Sequence, residues 1–114
     1  MDNMREEAPV RQVRITVLKK QFYPELAVQY LTDGVAAGAC PILEEGNRFI
    51  YTGGAKMPEG LCPWAWPDIY NTVSTLANGG SFYPWYNNPN QSIECCSDGI
   101  RPVVFLIEAI EQEE

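Results

Sequence analysis

The chain has 114 residues, 46% hydrophobic and 20% charged, which suits one compact domain and excludes a wholly disordered or fibrous chain. Eight Lys and Arg against 15 Asp and Glu give a formal charge of -7, and no histidine occurs. The missing histidine excludes Ser-His-Asp and Cys-His catalysis and histidine metal sites. The acidic balance, with Arg48, Lys56 and Arg101 as the only cations beyond residue 20, disfavours nucleic acid as a partner.

Residues 1–9 are polar up to Pro9 and 111–114 read Glu-Gln-Glu-Glu, so both ends are expected to be disordered tails around a single domain at 10–110. From Val10 to Lys20, Val13, Ile15 and Val17 alternate with Arg14 and Thr16, the period of a half-buried strand. Pro24 and Glu25 suit a helix start, and Leu26, Ala27, Tyr30 and Leu31 form a short apolar stripe that Gly34 ends. A small-residue stretch then delivers a loop with Cys40-Pro41. Arg48 to Thr52 has the β-branched and aromatic content of a second strand, closed by Gly53-Gly54. Met57 to Pro63 is a second loop, carrying Cys62.

Pro67, Asp68 and the helical spacing of Ile69, Val73, Leu76 and Ala77 predict the principal helix, with Gly79-Gly80 at its end. The loop from Ser81 to Gln91 holds Phe82, Tyr83, Trp85 and Tyr86, which need either the core, a ligand or a second subunit to cover them. Ile93 to Cys96 and Val103 to Ile110 read as a hairpin on Asp98-Gly99, a type I′ turn signal. The run from Val103 to Ile107 is apolar on both faces, as in a central strand covered on both sides. The order β-α-β-α-β-β predicts an α+β domain with two helices packed on a small, mostly antiparallel sheet.

A turn on Asp98-Gly99 pairs Cys96 with Arg101 and Cys95 with Pro102. Cys95 then shares a face with Ile93, Val104 and Leu106 and reads as a packed core thiol, whereas Cys96 faces a guanidinium, and a cation beside a thiol favours the thiolate. Cys40 and Cys62, each followed by proline in loops flanking the second strand, are expected to approach Cys96 at one end of the sheet. Three thiols in one cleft suit either a redox site or, alternatively, a zinc or iron-sulfur site on Cys40, Cys62 and Cys96. Paired Cys-x-x-Cys knuckles, the strong zinc signature, are absent. Trp66 and Tyr70, with Trp85 from the aromatic loop, are candidate walls of a small-molecule pocket. Asp68 is its candidate acid or base, although the helix dipole also accounts for an acid there.

The strings Cys40-Pro41, Met57-Pro58-Glu59-Gly60, Trp64-Ala65-Trp66, Asp68-Ile69-Tyr70 and Cys95-Cys96 with Asp98-Gly99 and Arg101-Pro102-Val103 resemble a family of short, four-cysteine microbial proteins of unknown function. The resemblance implies a site involving the four cysteines, Trp66, Asp68, Asp98 and Arg101, and brings no reaction with it.

The sequence thus predicts a small-molecule-binding or cysteine-dependent redox protein. Its expected catalytic residues are Cys96, Cys62, Asp68 and Arg101, and its expected ligand contacts are Cys40, Trp66, Tyr70 and Trp85. The alternative is a metal-binding or accessory module that docks on a larger enzyme. A homodimer is expected from the loop aromatics. No cofactor is named by any motif, and the lack of a long apolar run or leader pattern predicts a cytoplasmic protein without membrane contact.

Overall fold

The computed structural model describes residues 11–111; the parts of the expected tails at 1–9 and 112–114 lie outside them. Four strands form one antiparallel sheet: β1 (Gln12–Lys20), β2 (Arg48–Tyr51), β3 (Gln91–Cys95) and β4 (Val103–Ile110), in the spatial order β2-β1-β4-β3. Helix α1 (Pro24–Tyr30) and a 3₁₀ turn (Gly34–Ala37) separate β1 from β2, and helix α2 (Trp66–Ala77) separates β2 from β3. The domain is α+β, with its elements in the predicted order.

Alternation in β1 and β4 builds the core. Val13, Ile15 and Val17 lie on the same face as Val103, Phe105 and Ile107, and all six are buried. Onto this face α2 lays Ile69, Val73, Leu76 and Ala77, the i, i+4, i+7, i+8 stripe that put the helix there. Burying each large side chain contributes about 1.5–3 kcal/mol, so this layer is the main source of stability.

The helix ends are held by other elements. Arg11, just before β1, donates from Nε to Leu76 O (3.1 Å) and from a terminal nitrogen to Gly80 O (2.7 Å), and its other terminal nitrogen reaches Asn90 Oδ1 (3.0 Å). No basic residue occupies the last turn of α2, so the guanidinium of a neighbouring segment meets the negative end of the dipole.

Three expectations need correction. β4 is central, but only one face is covered by a helix; on the other, Val104 and Leu106 are half-buried and Leu18, Ile50 and Ile93 stay exposed. Helix α1 packs chiefly against the 3₁₀ turn instead of the sheet. It is short and buries only Ala27 fully, leaving Val28 and Tyr30 exposed. Third, the hairpin does not turn on two residues. Cys95 pairs with Val104, which leaves 96–102 as a loop. A type I′ turn needs positive φ at both central residues, and neither Asp98 nor Gly99 has one. Instead Asp98 Oδ1 accepts the N–H groups of Ile100 and Arg101, both at 2.9 Å, an Asx turn that widens the connection. Pro102 has no N–H to offer a ladder; its carbonyl accepts from Gln21 N–H, and Ile100 O accepts from Tyr23 N–H.

A thiol-lined cleft at one end of the sheet

Antiparallel order brings the C-terminal ends of β1 and β3 and the N-terminal ends of β2 and β4 to the same edge of the domain. The segments that leave and enter there carry the cysteines. The 38–47 segment is anchored by buried Leu43 and by two bonds to β1, Gly46 N–H to Val17 O (2.8 Å) and Val17 N–H to Asn47 O (2.9 Å). Cys40 sits at its beginning. Cys62 opens the turn into α2, its carbonyl accepting from Ala65 and Trp66 N–H, both at 3.1 Å.

Cys40, Cys62 and Cys96 line one cavity of about 540 Å³, together with Ile42, Leu43, Trp64, Asp98, Arg101 and Val103. The cleft anticipated for these three thiols is therefore present. Cys62 is buried, at 7% exposure, whereas Cys40 and Cys96 are half-buried. All four cysteines are free thiols. Among the described residues no group of three or more His, Cys, Asp and Glu side chains is gathered closely enough to hold a metal ion.

Cys96 has a particular environment because the ladder ends on it. Its own N–H reaches Val103 O at 3.1 Å, but the reciprocal Val103 N–H points at Cys96 Sγ, 3.4 Å away. An N–H aimed at sulfur stabilises negative charge developing there. Across the strand Cys96 thus meets Val103 in place of the predicted Arg101, and Arg101 reaches the cleft from the loop. Its Nε lies 3.4 Å from Asp98 Oδ2. Burial pushes the Asp98 carboxyl up, but the N–H groups of Arg101 and Ile100 and the Arg101 guanidinium outweigh that and hold it below its ordinary value.

Other expected site residues lie elsewhere. Asp68 is exposed and accepts Ser97 N–H at 2.8 Å, so it ties the 96–102 loop to the start of α2 and does not line the cleft. Trp66 and Tyr70 cluster with Tyr51, at centroid separations of 5.7 Å for Tyr51–Trp66 and 5.2 Å for Trp66–Tyr70, and Tyr70 lines a separate cavity of about 250 Å³ with Tyr51 and Gly53 to Ala55. Burial raises the Tyr51 phenol above its ordinary value, offset by the Ala55 N–H and reinforced by Tyr70. Trp85 is 85% exposed and away from the thiols. Its loop neighbour Tyr86 turns inward, stacking edge-on with Phe82 and accepting Ile93 N–H at 3.1 Å. Cys95 shares the predicted face with Ile93, Val104 and Leu106, but that face is open and its thiol is exposed.

Trp64 is the cleft residue that helical spacing did not select, since it precedes α2 and belongs to the Cys62 turn. It lines the cavity while remaining 75% exposed. A polar group also lies between α2 and β3: Glu94 Oε2 accepts from Thr72 Oγ1 (2.7 Å) and from Ser92 Oγ (2.9 Å), with Ser92 buried at 2% exposure. The alternation of β3 places Glu94 on the helix side, and no motif marks it.

Compared with family models, curated proteins and solved structures, the chain matches none. No helix among the described residues is long and apolar enough to cross a membrane.

Proposed function

We propose that this protein binds a small molecule in the thiol-lined cleft and acts on it by thiol–disulfide exchange, with Cys96 as the attacking sulfur. The observation that carries the reading is the convergence of Cys40, Cys62 and Cys96 on one cavity, with Val103 N–H directed at Cys96 Sγ. A cavity of this volume lies in the ordinary range for small-molecule sites. Exchange also needs none of the histidine chemistry that the sequence lacks.

The steps balance without a further oxidant when the substrate is itself a low-molecular-weight disulfide. Deprotonated Cys96 sulfur attacks one substrate sulfur; the protein–substrate S–S bond forms as the substrate S–S bond breaks, and the other half leaves as a thiolate. Cys40, the less buried of the two remaining cleft thiols, then attacks Cys96 and releases the second half. Two protein thiols are oxidised to one disulfide, one substrate disulfide is reduced to two thiols, and the two protein protons end on the products.

Residue-resolved alkylation of the native protein at neutral pH, read by mass spectrometry, tests the reading. Cys95 should label readily because it is exposed, so total thiol counts are not informative. Cys96 should also label in the native state, ahead of Cys62. Labelling of Cys96 only upon unfolding removes the proposal.

A further inference from the structure

We infer that the cleft selects disulfides bearing a carboxylate, with the carboxylate held by Arg101 while the S–S bond lies at Cys96. This names the substrate class for the thiol–disulfide reading and rests on it. Among the described residues, Arg101 and Asp98 are the only charged ones lining the cavity, and their roles differ. Asp98 is already met by three donors: the N–H groups of Ile100 and Arg101 through Oδ1, and Arg101 Nε near Oδ2. Asp98 therefore acts as a positioning residue that fixes the loop and one edge of the guanidinium. The two terminal nitrogens of Arg101 make no hydrogen bond to another described residue, and a planar guanidinium edge matches a carboxylate in paired geometry.

The rest of the lining sets the body of the ligand. Ile42, Leu43 and Trp64 give apolar walls, suited to an aliphatic or aromatic portion between the acid and the sulfur. The chain carries a formal charge of -7, and its field disfavours anions. Preference for an anionic disulfide at the cleft must then come from Arg101 itself, which makes the preference measurable.

The experiment uses Cys95→Ala protein, so that the exposed thiol does not contribute, and two chromogenic disulfides: the dianionic 5,5′-dithiobis(2-nitrobenzoate) and the neutral 2,2′-dithiodipyridine. The quantity read is the ratio of their rates at Cys96, divided by the same ratio for N-acetylcysteine amide. The normalised ratio should exceed one, by about threefold to tenfold, the effect of one charge-assisted contact. Arg101→Gln should bring it to one or below. A ratio is needed because any change in Cys96 reactivity common to both reagents then cancels. Should Arg101→Gln fail to fold, Arg101→Lys serves instead: it keeps the cation but loses the planar paired edge, so the ratio should fall towards one. A normalised ratio of one or less in the Cys95→Ala protein, or one that the Arg101 substitution leaves unchanged, overturns the substrate class while leaving exchange intact. Failure of Cys96 to react with either disulfide overturns the exchange reading itself.

Discussion

Replacing Asp98 by alanine should loosen the segment that carries both Cys96 and Arg101. Oδ1 caps two N–H groups at 2.9 Å, and Oδ2 faces Arg101 Nε at 3.4 Å. Each backbone bond to a polar acceptor contributes about 0.5–1.5 kcal/mol net, and the side chains of the pair are about one-third exposed, so the ion pair itself adds less than about 1 kcal/mol. Released N–H groups near the surface regain water, which places the expected loss at about 1–2 kcal/mol, comparable to a helix cap. For a domain of this size that corresponds to a fall in Tm of roughly 4–8 °C. Denaturant unfolding gives the free energy, and amide exchange at Ile100 and Arg101 shows whether the loss is local. Because the folded carboxyl lies below its ordinary value, its contribution is present above the unfolded pKa of about 3.9 and is lost as pH falls through the lower folded value. The stability gap between wild type and Asp98→Ala should therefore be constant near neutrality and narrow in acid. A variant within about 0.3 kcal/mol of wild type, with unchanged exchange at both amides, refutes the account of the loop; that threshold is about the error of such comparisons.

Phe105→Ala removes a side chain with 0% exposure from the centre of the core and should cost about 3–5 kcal/mol in chemical denaturation; a loss below about 1 kcal/mol contradicts the packing described. Arg11→Ala deletes three hydrogen bonds, to Leu76 O in the last turn of α2, to Gly80 O just beyond it and to Asn90 Oδ1, and should cost about 1–3 kcal/mol, with a thermal melt unchanged from wild type as the contrary result. Asp68→Ala frees Ser97 N–H and should raise exchange at that amide with a loss of about 1 kcal/mol. Were Asp68 instead the acid or base of the site, the variant would abolish reaction with small disulfides.

Periodicity made the architecture legible. The alternation of Val13, Ile15 and Val17 and the stripe of Ile69, Val73, Leu76 and Ala77 each contain the information for one buried face, and the sheet and α2 follow. The Asp98-Gly99 signal misled because it is local: the Asp98 side chain bonds its own following N–H groups, and Pro102 breaks the ladder that a two-residue turn would extend. That widened loop brings Arg101 to the cleft beside the strand end, an arrangement no cross-strand register describes. Cys95 lies on the face that alternation predicts but is exposed where a packed thiol is expected, because strand alternation states which residues share a face and not whether anything covers it. Trp66 and Trp64 show the same limit. Helical spacing selects Trp66, which packs on Tyr51, whereas the turn at Cys62 presents Trp64 to the thiols. The approach of three cysteines from loops far apart in sequence was legible for a topological reason, since antiparallel neighbours return their connections to common edges.

In the proposed exchange Cys96 attacks a small disulfide and Cys40 resolves the product. Reaction of Cys95→Ala protein with a stoichiometric low-molecular-weight disulfide, followed by thiol release and disulfide mapping on the same sample, tests it most directly. Two small thiols should be released per chain, with a bridge between Cys40 and Cys96. A single thiol released with the other half retained on Cys96, or a bridge that omits Cys96, contradicts it.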